Sequence, residues 1–126
     1  DTTSPTIDVT GDNPATITLG ATYNDEGATA TDNYDTGLTV VVGGNTVDTS
    51  TVGSYTVTYN VSDESGNSAA QKVRIVNVVD DTDPIITLNG SSSITHEVGT
   101  AYLDPGATAN DNYDGDLSSE ITTNIN

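Results

Sequence analysis

The chain has 126 residues, with 19 acidic side chains against 2 basic ones, a formal net charge of −17, one histidine, and no Cys, Met, Trp or Phe. Lys72 and Arg74 alone cannot neutralise a run of phosphates, which excludes nucleic acid and anionic membrane surfaces as partners, and the absence of thiols excludes disulfides, thiolate catalysis and Cys-ligated zinc. No stretch approaches the roughly 18 apolar residues needed to span a bilayer, and no N-terminal signal pattern is present.

In chain order, Ile7 to Val9 and Ala15 to Leu19 are short β-rich runs, followed by Ala28 to Thr31 and Leu38 to Val42. Gly, Asn, Asp and Pro separate them, and abundant Thr and Val suit a pleated, half-buried surface. Gly53 to Ser62 alternates apolar and polar strictly, the period of a strand with Tyr55, Val57, Tyr59 and Val61 on its inner face. Asp63-Glu64-Ser65-Gly66-Asn67 reads as a turn. Ala69 to Val79 then returns as a long strand, with Val73 and Ile75 expected inside and Lys72 and Arg74 toward water. Nothing has helical periodicity. Six or seven short strands in about 80 residues predict an all-β fold, an antiparallel β-sandwich.

The sequence also repeats itself. At an offset of 79 residues (84 − 5), Pro5 meets Pro84, Gly20-Ala-Thr-Tyr23-Asn-Asp25-Glu-Gly27 lies over Gly99-Thr-Ala-Tyr102-Leu-Asp104-Pro-Gly106, and Asp32-Asn33-Tyr34-Asp35 lies over Asp111-Asn112-Tyr113-Asp114. Such a period suits tandem small domains. The expected organisation is one complete domain over residues 1–80 and the N-terminal half of a second over 81–126, because the second copy has no counterparts of anything after Val47. Either continuing polypeptide or a neighbouring subunit is expected to supply the absent strands, the latter by β-strand addition.

Pro84-Ile-Ile-Thr-Leu-Asn-Gly90, Glu97-Val-Gly99-Thr-Ala-Tyr102-Leu-Asp104-Pro-Gly106 and Asp111-Asn-Tyr-Asp114-Gly-Asp116-Leu117 resemble the bacterial immunoglobulin-like repeats found in tandem in surface and secreted proteins, including pesticidal crystal proteins. In the first copy, Val47 to Tyr59 and Ser62 to Asn67 resemble that family's closing strands. The resemblance implies a seven-stranded immunoglobulin-like sandwich in a multidomain extracellular protein, without enzymatic activity. The first copy departs from it at Glu26 and at Thr36-Gly37, so equal metal affinity of the two acidic loops is not implied.

The residues bear on three chemistries. Catalysis has a poor inventory: His96 aligns with Ile17, sits beside Glu97 in what reads as a short solvent-facing strand, and has no nucleophile elbow near it. Sugar binding, as an accessory module of a larger secreted enzyme, wants exposed aromatic platforms. Tyr34 and Tyr113 in the acidic loops are the plausible ones, since Tyr59 lies on the buried parity and Tyr55 resembles a corner tyrosine whose hydroxyl ties back to the backbone. Calcium is favoured, because a hard divalent cation needs about six to eight oxygens brought together by loops. The candidate ligands are Asp32, Asn33 and Asp35; Asp63, Glu64 and Asn67; Asp80, Asp81 and Asp83; and Asp111, Asn112, Asp114 and Asp116. None forms an EF-hand. The same residues are also the usual turn formers on a solvated surface.

The calcium reading depends on topology. If the first two runs form one kinked strand, the loops at Asp32 to Gly37 and Asp63 to Asn67 share the N-terminal end of the sandwich. In the second copy Asp111 to Asp116 would meet Asp80 to Asp83 at the junction, with Asp25 and Glu26 reaching from the other side. If the two runs instead make a hairpin, the acidic loop moves to the opposite end. The expectation is thus a stalk, adhesin spacer or filament subunit at the cell surface or secreted, its partners neighbouring copies of the same repeat, stiffened by Ca2+ between domains.

Overall fold

The computed structural model describes residues 1–124; Ile125 and Asn126, the last two of the expected second copy, lie outside the described residues. The chain divides into two compact units, Asp1–Asp80 and Asp81–Asn126.

The first unit contains β1 (Thr6–Val9), β2 (Ala15–Thr18), β3 (Ala28–Thr31), β4 (Val41–Gly44), β5 (Gly53–Asn60) and β6 (Lys72–Val79). β1 pairs with β3 in one sheet, and the other sheet has the order β2-β6-β5-β4. β1 and β2 therefore belong to opposite sheets and do not form a hairpin: the chain crosses from one layer to the other between them, as a kinked first strand does. All pairings in this unit are antiparallel except β2 with β6, which is parallel, a departure from the purely antiparallel expectation. It follows from the kink, because a first strand that changes layer lands beside the last strand with the same direction.

Ile7, Val57, Tyr59, Val61 and Val76 form the core between the layers, with Val9, Ile17, Ala30 and Leu38 packed around them. Leu38 and Val40 serve this core from outside a strand, so the fourth strand begins at Val41 rather than Leu38. The sixth likewise begins at Lys72 rather than Ala69. The corner tyrosine is as expected: the Tyr55 hydroxyl donates to the Thr51 carbonyl at 3.0 Å.

The parity expected for β6 is reversed. Val73 is 40% exposed, whereas Arg74 is 1% exposed and Val76 and Val78 are buried. Cross-strand neighbours share a face, and the register pairs Tyr55 with Val76 and Val57 with Arg74. The inward residues of β5 therefore carry Arg74 inward with them.

Burying a guanidinium requires hydrogen-bond partners, and here each of its three nitrogens has at least one. Nε lies 3.1 Å from Asp25 Oδ1 and donates to the Tyr59 hydroxyl at 3.0 Å. Nη1 donates to the Asp12 carbonyl at 2.6 Å, and Nη2 donates to the carbonyls of Thr10 and Gly27. The Tyr23 and Tyr59 hydroxyls both donate to Asp25 Oδ1, at 2.9 and 2.6 Å. Burial pushes the Asp25 carboxyl up, but those hydroxyls and Arg74 outweigh it and hold it below the usual carboxylate range. Desolvation and the bond to Asp25 push the Tyr23 phenol up to about 12. Asp25 is thus engaged inside its own unit rather than reaching for a junction.

The second unit contains β7 (Ile85–Leu88), β8 (Ala107–Asp111), β9 (Gly115–Asp116) and a single 3-10 turn, Ser118–Glu120. They form one antiparallel sheet, β7-β8-β9. Its apolar side chains are largely open to solvent: Ile86 is 63% exposed, Leu88 58% and Val98 100%.

Candidate metal centre

Three separate stretches converge at one end of the first unit. They are the N-terminus with Asp1, the β3–β4 loop with Asp32 and Asp35, and the β5–β6 turn with Asp63; each of the four offers an oxygen, all within 4.8 Å of one another. Local backbone chemistry sets each carboxylate. Asp32 Oδ2 accepts the N–H groups of Tyr34 at 3.0 Å and Asp35 at 3.1 Å, and these backbone donors hold its carboxyl below the usual range. The Glu64 N–H donates to Asp35 Oδ2 at 3.1 Å.

Asp63, which is 7% exposed, accepts from the Asn67 N–H at 2.7 Å and from the Asn67 amide at 2.6 Å. That amide also donates to the Asp1 carbonyl at 3.3 Å, clamping the N-terminus onto the turn. One end of the Asn33 amide sits 3.2 Å from Asp1 Oδ2 and 3.3 Å from both oxygens of Asp32. With its nitrogen there it donates to three acceptors; with its oxygen there it is one more oxygen ligand.

Four carboxylates this close repel each other by roughly 1 kcal/mol per pair even at the dielectric of water. Hard divalent cations are held by such sets, with oxygens about 2.3–2.6 Å from the ion for calcium. The structure thus gathers Asp32, Asn33, Asp35 and Asp63, as the kinked-strand topology requires. Glu64 contributes its backbone N–H, and Asn67 acts as a donor clamp rather than an oxygen ligand. Asp1 was missed by the sequence reading, although the signal was there: at the offset of 79 it is the counterpart of Asp80.

In the second unit the same turn recurs. Asp111 Oδ1 accepts from the N–H groups of Tyr113 at 2.8 Å and Asp114 at 2.9 Å, and Asp111 and Asp114 offer oxygens within 4.8 Å of each other. Asn112 between them is exposed. Asp116 stands apart: its Oδ1 accepts from the Ser118 hydroxyl at 2.5 Å and N–H at 2.9 Å, which lowers its pKa. Asp80 directly follows β6 and is half-buried, while Asp81 and Asp83 are exposed.

The other chemistries find less. His96 is exposed and lies outside any strand, contrary to expectation; its Nε2 lies 2.8 Å from Thr100 Oγ1, and its ring meets Tyr102 edge to face at 5.4 Å. Tyr34 and Tyr113 are 77% and 53% exposed, each on a separate loop. Among the described residues no helix is long and apolar enough to cross a membrane. Compared with known protein families, residues 7–78 and 86–126 match the one described as "Bacterial surface protein, Ig-like domain". No curated protein matches the chain.

Proposed function

The chain belongs to the family of bacterial surface protein Ig-like domains, and from that premise we propose that it is a non-enzymatic structural repeat, a stalk or spacer displayed outside the cell and stiffened by Ca2+. One observation carries the calcium reading: Asp1, Asp32, Asp35 and Asp63 bring carboxylates from three distant stretches to one point. Turn formation alone explains each loop but not why the three meet, and the family's surface placement puts the cage where calcium is abundant. Asn33 adds an oxygen by rotating its amide once the ion is bound.

The repeat extends the reading to the second copy. At the offset of 79, Asp80, Asp111 and Asp114 are the counterparts of Asp1, Asp32 and Asp35, so the acidic ligand set is repeated in the sequence of the second copy. The first cage has the buried Asp63, whereas Asp116 is held by Ser118, so in this proposal the first site is the tighter.

Calorimetric titration with CaCl2 is expected to give a dissociation constant of about 0.1–1 mM, the range of extracellular modules. Calcium at a hundred times that constant raises stability by about 2.7 kcal/mol over chelator. Asp35→Asn should weaken the stronger binding event and Asp114→Asn the weaker one. Melting curves and titrations indistinguishable with calcium and with chelator would reject the proposal.

A further inference from the structure

β6 carries apolar side chains on both of its faces. Val76 and Val78 turn into the first unit and are buried, while Val73, 40% exposed, and Ile75, half-buried, stand on the opposite face. A strand that is apolar on both sides belongs where both sides are covered. Within the first unit the second layer covers only the inner side.

The outer face extends across the sheet. Cross-strand register sets Thr56 beside Ile75 and Thr58 beside Val73, and the exposed Thr16 and Thr18 of β2 continue the same face beyond β6. None of the outward strand positions of this sheet bears a charge, in a chain with 19 acidic side chains and a net charge of −17. None bears an aromatic ring. The outer face of the other sheet differs: exposed Asp8 stands there opposite Thr29.

That distribution of charge selects the occupant. A cationic partner finds nothing on the face to attract it and settles on the carboxylates elsewhere, and a sugar finds no ring to stack on. Two copies of a chain this acidic repel one another wherever carboxylates meet, and here they meet none. The face is also self-complementary, as a two-fold contact requires, because threonine, valine and isoleucine fit against the same set.

We propose that the outer face of the β2-β6-β5-β4 sheet is a lateral contact between two copies of this chain, packed sheet to sheet about a two-fold axis. Val73 and Ile75 of each copy lie at its centre, and the threonines surround them. With strands about 4.8 Å apart and about 3.3 Å per residue, the face is roughly 400 Å2, about half of what each partner gives to a standard interface. One pair of chains therefore associates weakly, whereas copies displayed side by side associate firmly because their contacts act together. The contact rests on packing and is independent of any cation at the acidic loops.

The test follows the methyl signals of the isotope-labelled 126-residue chain from micromolar to millimolar concentration in EDTA, which separates this contact from calcium binding. The Val73 and Ile75 methyls are expected to shift with concentration, and those of Val76 and Val78 to stay. Raising NaCl from about 10 to about 150 mM shortens the Debye length from about 30 to about 8 Å and should tighten the association severalfold, the opposite of a contact made by ion pairs. Val73→Asp should abolish the shift at Ile75 and leave a monomer by sedimentation. Thr6→Asp adds the same charge to the outer face of the other sheet and should leave the association within about twofold. Thr16→Asp, at an exposed position of the proposed face, repeats the test should Val73→Asp unfold. No concentration dependence up to millimolar protein at the higher salt overturns the proposal. So do equal effects of Val73→Asp and Thr6→Asp, and shifts centred on Ile85 to Leu88, which would make the sheet of the second unit the associating one. Shielding of the Val73 methyls from a soluble paramagnetic probe in the dilute chain also overturns it, because the face would then be covered within one molecule.

Discussion

Ile7 and Ile86 occupy the same place in the repeat, and their neighbours are the same as well. Ile7 sits opposite Ala30 in the β1–β3 pair and Ile86 opposite Ala109 in the β7–β8 pair. Yet Ile7 is 2% exposed and Ile86 63%. The difference lies in β5 and β6, whose Val57, Tyr59 and Val76 close over Ile7 in the first unit. Turns, strand pairs and glycine conformations are local and recur in both units. Burial is not local: it comes from strands that follow tens of residues later.

The most severe test of this contrast is Arg74→Met. Removing one partner of a buried charged set strips Asp25 of its counter-charge and the carbonyls of Thr10 and Asp12 of their guanidinium donors, and should cost the first unit about 3–5 kcal/mol, read by urea unfolding monitored through amide hydrogen exchange. Asp104→Asn at the open counterpart site should change the second unit by about 0.5 kcal/mol or less. Similar losses from the two substitutions would mean that Asp104 is held in solution as firmly as Asp25 is by Arg74.

A smaller effect is expected from truncating the paired isoleucines. Ile7→Ala removes a core side chain and should cost about 2–5 kcal/mol. Ile86→Ala, on an open face, should cost about 0.5 kcal/mol or less by the same exchange measurement. If the two costs converge, something covers Ile86 in solution.

Titration sharpens the comparison further. The folded pKa of Asp25 is depressed, so its stabilisation is complete above the unfolded value of about 3.9 and disappears as pH falls through the folded one. The Tyr23 phenol is raised to about 12, so its contribution is complete below about 10 and is lost as pH rises toward its folded value. The first unit should therefore lose stability on both limbs, and Asp25→Asn should flatten the acid limb. An acid limb unchanged in that variant would assign it to other carboxylates.

Much of the molecule was legible in the residues. Tyr55, Val57, Tyr59 and Val61 face inward as their strict alternation requires, since only that register buries the whole apolar set. The Asp-Asn-Tyr-Asp loops form the same aspartate-closed turn twice, because that bond is made within four residues. The side taken by Arg74 was not legible, because the apolar residues of β6 are nearly balanced between its two faces and charge favours the outer one. Asp25 gave little sign of its role: only Tyr23 among its partners is near it in the chain, while Tyr59 and Arg74 lie 34 and 49 residues away (59 − 25 and 74 − 25).

By itself the sequence determined what depends on near neighbours: the strands, the turns, the repeat and the clustering of acidic side chains within each loop. Only the tertiary structure decided which clusters meet, because that rests on the first strand changing layer between Val9 and Ala15. It also decided that Arg74 faces inward, because cross-strand register with β5 outweighs the preference of a lone charged residue for water once Asp25, Tyr59 and three carbonyls receive it. Contacts across the sheet and between the layers join residues whose separation in sequence has no local signature, so they are settled only when the chain folds.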